Sequence, residues 1–165
     1  MNFSDQNIWH PFTQYKSDPA PIHISHGKNE FLYDKEGNEY IDAVSSWWVN
    51  THGHAHPYII EKVHEQHKKL EHVIFAGFTH DKAIELSEKL LNLLPNEQNR
   101  VFFSDNGSTA TEAAVKMALQ YWHNNNKTGK NRVIAFDSGY HGDTFGAMSV
   151  TGYSAFNAPF QDKLF

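Results

Sequence analysis

The sequence has no cysteine in its 165 residues. That excludes a disulfide-built scaffold and any thiolate metal or redox centre. No apolar run approaches the ~18–20 residues that a membrane-crossing helix needs. The opening residues, Met1-Asn2-Phe3-Ser4-Asp5-Gln6, lack the basic start and apolar stretch of a secretory signal. Positive charge is scarce: 14 Lys+Arg against 19 Asp+Glu leave a formal net charge of −5, so there is no basic footprint for nucleic acid. Internal repeats and low-complexity linkers are absent too. What remains is about one domain's worth of chain, 39% hydrophobic and 20% charged. It is expected to be globular, soluble and cytoplasmic.

Two residue classes are abundant. Aromatics make up 14% of the chain and histidines number 12, with dense stretches at Trp9-His10-Pro11-Phe12 and Trp47-Trp48. Such density can line a pocket that stacks a planar ligand, and it equally suits an aromatic-rich core.

Residues 1–21 carry Pro11, Pro19 and Pro21 without periodicity and read as an irregular arm. Short strands are expected at 22–25, 30–33 and 39–42, separated by turn residues, which makes a small antiparallel meander. The stretch 45–56 reads as irregular. Pro57 suits the first turn of a helix running to about residue 72. A second helix is expected over 81–94, with Ala83, Leu86, Leu90 and Leu94 on one face and Pro95 as its stop. Residues 100–104 (RVFFS) read as a buried strand and 109–124 as a helix. Thr109-x-x-Glu112 would be its capping box, and Ala110, Ala113, Ala114, Met117, Ala118 and Tyr121 its buried stripe. Residues 132–136 (RVIAF) read as a second buried strand, so that strand, helix and strand form a right-handed βαβ unit. Two parallel strands do not make a stable sheet. The expectation is therefore the beginning of a larger α/β protein: an arm and antiparallel segment over 1–56, then the start of a large α/β domain over 57–165.

Two segments carry chemistry. Asn106-Gly107-Ser108-Thr109 follows a buried strand and opens a helix. Free backbone N–H groups, two hydroxyls and the helix dipole make an anion cup suited to one phosphate. The same residues would serve a plain capped helix start. No P-loop or dinucleotide fingerprint is present. Ser138-Gly139-Tyr140-His141-Gly142-Asp143-Thr144 follows the second strand, at the sheet edge where open α/β proteins bind ligands. Tyr140 can stack on a planar ring that His141 or Asp143 orients, and a Gly-flanked turn is the plainer alternative. A phosphate cup and an aromatic shelf on adjacent strand ends suit a phosphorylated aromatic cofactor. In an extended chain His52, His54 and His56 would share one side at zinc-like spacing. Gly53 and Pro57 favour a turn instead, with His56 placed to cap the helix, so no metal is expected. His64, His67 and His72 are expected to face solvent, and Lys116 to be a helix-surface lysine.

These residues make the chain resemble the N-terminal portion of the class III, fold-type I, pyridoxal phosphate-dependent aminotransferases. Gly139-Tyr140-His141-Gly142-Asp143-Thr144 marks the class. Trp9-His10-Pro11-Phe12-Thr13 and Ser45-Ser46-Trp47-Trp48 are similar to its biotin-biosynthesis branch. Also matching are His52-Gly53, Asp105-Asn106-Gly107-Ser108 and Met117-Ala118-Leu119-Gln120-Tyr121-Trp122. The resemblance implies a pyridoxal 5'-phosphate cofactor whose phosphate is held by Gly107 and Ser108. It implies Tyr140 stacked on the pyridine ring and bordering substrate, and Trp47 lining the substrate pocket. Phe12 stands where the pattern often has a substrate-contacting tyrosine, so a hydroxyl is lost there. The implied reaction moves an amino group from S-adenosylmethionine to 8-amino-7-oxononanoate, giving 7,8-diaminononanoate, in a homodimer. A lysine-like donor, or another ω-amino acid aminotransferase, is the alternative. The family's Schiff-base lysine, its pyridine-pairing aspartate and its carboxylate-binding arginine all fall beyond residue 165. No catalytic residue is therefore expected in this chain, and the 165 residues alone are expected to be inactive.

Overall fold

The computed structural model describes residues 7–165. Two compact units divide the chain, Met1–Thr79 and His80–Phe165.

The first unit is built on the expected antiparallel meander, β1 (Ile24–Lys28), β2 (Phe31–Asp34) and β3 (Glu39–Ile41), paired in that order. The first two strands lie one to three residues later than the turn residues suggested. His26, Gly27 and Lys28 pair with β2, leaving Asn29 and Glu30 for the turn, and an irregularity between Ile24 and His26 absorbs the offset. The β2–β3 turn is organised by buried Asp34. Its carboxylate accepts from the Glu36 amide (3.0 Å), the Asn38 amide (2.8 Å), Asn38 Nδ2 (2.8 Å) and Tyr40 Oη (2.9 Å). The Asn38 side chain, followed by these amides and the Tyr40 hydroxyl, holds Asp34 below the usual carboxylate range.

Residues 45–56 are more ordered than expected. Their first part is α1 (Ser45–Trp48), a single turn with Ser45, Ser46, Trp47 and Trp48 all at φ between 48° and 68°. L-residues pay about 1–2 kcal/mol each for a left-handed helical backbone, which no propensity rule anticipates. Helix α2 (Pro57–His67) starts at Pro57 as expected. His56 gives no side-chain cap, and the helix ends short of residue 72. The run His64-Glu65-Gln66-His67-Lys68-Lys69 has no apolar side chain to hold a further turn.

In the second unit, α3 (Asp81–Leu91) is capped by His80, whose Nδ1 accepts from the Ala83 amide at 3.3 Å. It unwinds before residue 94, because Pro95 restricts the residue that precedes it. Helix α4 (Gly107–Asn124) begins two residues early, with Asn106 as N-cap. Its capping box joins Asn106 to Thr109 rather than Thr109 to Glu112. The stretches 100–104 and 132–136 form no ladder among the described residues, so the expected βαβ pairing is not made there. Parallel strands need neighbours on both sides, and these have none. The expected apolar stripe of α4 is open as well, with Met117 and Tyr121 about half exposed. The buried apolar side chains are instead Ala147 and Met148 of α5 (Phe145–Ser149), with Val150 just after it. Among the described residues no helix is long and apolar enough to cross a membrane.

Two outcomes follow. Expressed as these 165 residues alone, the chain should bind a hydrophobic dye and unfold over a broad range, since so little apolar surface is covered; a sharp transition without dye binding contradicts this. The depressed folded pKa of Asp34 gives stability that is full above its unfolded value near ~4 and lost as pH falls through the folded one. The wild type should therefore lose more thermal stability than Asp34→Asn between about pH 6 and about pH 3. Equal slopes contradict the role of the Asp34 carboxylate.

Candidate functional site

In the second unit the phosphate-cup residues lie at the start of α4. The Asn106 side chain takes the Thr109 amide at 3.0 Å, and the Asn106 carbonyl takes the Ala110 amide at 3.0 Å. Among the described residues no hydrogen bond claims the amides of Gly107 and Ser108. Nothing lies within 4 Å of where a Gly107 Cβ would be, so the space beside Gly107 is open. Asp105 flanks them without occupying that space. Thr109 Oγ1 donates to its Oδ1 at 2.6 Å and is the chief reason its pKa is lowered.

The loop bearing Tyr140 is fastened to the first turns of α4. The Asp143 amide donates to Ser108 Oγ at 3.2 Å, Thr111 Oγ1 donates to the His141 carbonyl at 3.3 Å, and the Gly146 amide donates to Glu112 Oε1 at 2.8 Å. Sequence reasoning placed Glu112 in a capping box and missed this tie. The Gly146 amide, which donates to Oε1, holds Glu112 below the usual carboxylate range. Closure needs glycine at one point and is eased by it at another. A Cβ on Gly142, whose φ is +128°, would collide with Ser108 Oγ, and one on Gly146 would lie 2.6 Å from the Glu112 carboxylate. On its far side the loop is held by the His141 amide on Thr151 Oγ1 (3.1 Å) and the Gly152 amide on the Gly139 carbonyl (2.8 Å).

Tyr140 is 69% exposed. Its Oη donates to Asp143 Oδ2 at 2.9 Å, which raises the phenol pKa and keeps the hydroxyl protonated. Gly107, Ser108 and Tyr140 thus belong to one hydrogen-bonded assembly.

The donor set fits a cofactor phosphate: two unclaimed N–H groups at the positive end of an 18-residue helix, plus one hydroxyl. Ser108 Oγ already accepts the Asp143 amide, which leaves its own hydrogen to donate.

The other two expected site residues, Phe12 and Trp47, meet in the first unit with ring centroids 5.2 Å apart and planes at 69°, an edge-to-face aromatic contact. Asp42 supports the turn that bears Trp47. Its Oδ1 accepts the Ser46 amide (2.9 Å), and its Oδ2 accepts Ser46 Oγ (2.7 Å) and bonds His54 Nε2 (2.8 Å). The Ser46 amide and hydroxyl hold Asp42 below its ordinary pKa. His54 is therefore committed to Asp42, and among the described residues no three His, Cys, Asp or Glu side chains converge on a metal position. His64, His67, His72 and Lys116 lie at the surface.

Replacing Gly142 with Ala should cost the folded protein about 1–3 kcal/mol in denaturant unfolding, while Gly129→Ala, with ordinary φ and open space, should not destabilise. A harmless Gly142→Ala would contradict the described closure.

The model for aminotransferase class III matches residues 12–164. A curated relative from Synechococcus elongatus, named adenosylmethionine-8-amino-7-oxononanoate aminotransferase, is 55% identical over 162 residues, 98% of this chain and 38% of its own length. A relative of that name from Staphylococcus aureus is 43% identical, covering 100% of this chain and 39% of its own length. The crystal structure of the enzyme so named from Methanocaldococcus jannaschii matches with a TM-score of 0.91 at 40% identity, over 98% of this chain and 37% of that one. An omega transaminase from Pseudomonas jessenii, solved in complex with PMP, matches with a TM-score of 0.86 at 30% identity, over 94% and 35% of the two chains. The chain thus spans well under half the length of these relatives, and its fold is that of the N-terminal portion of fold-type I transferases. With its family model matched almost end to end, this chain belongs to the pyridoxal phosphate-dependent class III aminotransferases.

Proposed function

We propose that the protein is the aminotransferase that passes an amino group from S-adenosylmethionine to 8-amino-7-oxononanoate, giving 7,8-diaminononanoate for biotin synthesis. It acts as a cytoplasmic homodimer with pyridoxal 5'-phosphate. The observation that carries this reading is the junction of the α4 N-terminus with the Tyr140 loop. The substrates are supported by the name of the relative 55% identical to this chain.

Each residue has a defined task. The Gly107 and Ser108 amides and the Ser108 hydroxyl bind the cofactor phosphate as charge-assisted donors. Tyr140, tied through its hydroxyl to Asp143, would offer its ring face to the heterocycle of the bound cofactor. Trp47 and Phe12 offer an aromatic corner to the substrate. Phe12 has no hydroxyl to offer a polar donor, and this one feature favours a second reading in which a lysine-like amine supplies the amino group. Bound pyridoxal phosphate supplies the aldehyde that takes up the amino group and the ring that withdraws electrons from the reacting carbon. None of these residues has the covalent role, and Lys116 stays a surface lysine.

The natural gene product, loaded with pyridoxal phosphate, should form 7,8-diaminononanoate with S-adenosylmethionine as donor. Product with lysine alone supports the second reading, and no product with either donor contradicts both. Pyridoxamine 5'-phosphate should bind at least about tenfold more tightly than pyridoxamine, and Ser108→Ala should lose about tenfold in that affinity. Equal affinity for the two amines contradicts the phosphate cup.

A further inference from the structure

The left-handed turn at residues 45–48 is a conformation that L-residues do not hold unaided. The side chain that answers for it is Asp42. It takes Ser46 by both available donors, the amide at 2.9 Å on Oδ1 and the hydroxyl at 2.7 Å on Oδ2. Oδ2 also meets His54 Nε2 at 2.8 Å, so Asp42 is itself fixed from the loop that precedes α2. The Asp42 and His54 side chains are 7% and 14% exposed, which shields the pair from competing water. The main chain adds the Ser45 amide on the Asp42 carbonyl (3.1 Å) and the Asn50 amide on the Ser45 carbonyl (3.0 Å). Ser46 is held at φ 48°, ψ 55°. The residue attached to it is Trp47, whose exit direction follows from those dihedral angles, and its indole stands edge-on to Phe12 at 5.2 Å.

We infer that Asp42 is a positioning residue for substrate binding: by clamping Ser46 in the left-handed turn and bracing on His54, it aims the Trp47 indole at Phe12 and so sets the aromatic wall the substrate meets. This rests on the assignment of Trp47 and Phe12 to the substrate, and the test separates the two claims. An asparagine at position 42 keeps one acceptor for the Ser46 amide. Its amide nitrogen cannot accept the Ser46 hydroxyl or a proton on His54 Nε2.

In the natural gene product labelled with 5-fluorotryptophan, Trp47→Phe identifies the Trp47 fluorine resonance. Asp42→Asn should move that resonance, raise KM for the amino acceptor about tenfold with a smaller change in kcat, and leave pyridoxamine 5'-phosphate affinity within about twofold. In a Trp47→Phe background the same change should alter KM less than about twofold. Ser46→Ala, a milder lesion that removes only the hydroxyl bond, should shift the resonance the same way by less. An unmoved Trp47 resonance in both variants overturns the inference, as does a full KM effect in the Trp47→Phe background. If the resonance moves but Trp47→Phe leaves KM unchanged, the clamp stands and the assignment of Trp47 to the substrate fails.

Discussion

The second unit depends on one fastening. Three polar contacts from the first turns of α4, through Ser108, Thr111 and Glu112, hold a loop thirty to thirty-five residues away in sequence. The covered hydrophobic side chains here are only Ala147, Met148 and Val150, immediately beyond that loop. Each bond exchanges against water for a modest net gain. Geometry makes them effective together: Gly142 and Gly146 let backbone come within reach of side chains where any Cβ would intrude. The helix N-terminus that emerges keeps two amides unclaimed beside a hydroxyl ready to donate, and that combination is what an anion requires.

The first unit solves a comparable problem with a carboxylate. Asp34 gathers the β2–β3 turn, and Asp42, eight residues on, gathers the left-handed turn after β3. Both carboxylates are held ionised by the groups they accept from. Here an unfavourable backbone is maintained by a few strong acceptors, next to the edge-to-face pair of Trp47 and Phe12.

Much of this was legible in the residues. The meander could be read because β-formers alternate with Gly- and Asn-bearing turns. The start of α4 could be read because Asn-Gly-Ser-Thr before an alanine-rich run suits a capped helix N-terminus. Local signals failed where tertiary contacts decide. Glu112 sits at the spacing of a capping box, yet its partner is thirty-four residues away. Asn106, which precedes the expected helix start, took the cap instead. No propensity scale reports four consecutive left-handed residues at Ser45–Trp48. The segments 100–104 and 132–136 have strand-like composition, but composition does not supply the neighbours a parallel ladder needs. The turn expected around His54 gave no hint of its partner, a carboxylate twelve residues earlier.

The central claim is that the start of α4 and Tyr140 serve one bound cofactor. The most direct measurement is a crystal structure of the protein with pyridoxamine 5'-phosphate. The account predicts phosphate oxygens within about 2.7–3.1 Å of the Gly107 and Ser108 amides and Ser108 Oγ, with the pyridine ring stacked on Tyr140. A phosphate seated elsewhere, or a ring that leaves Tyr140 facing solvent, would contradict it.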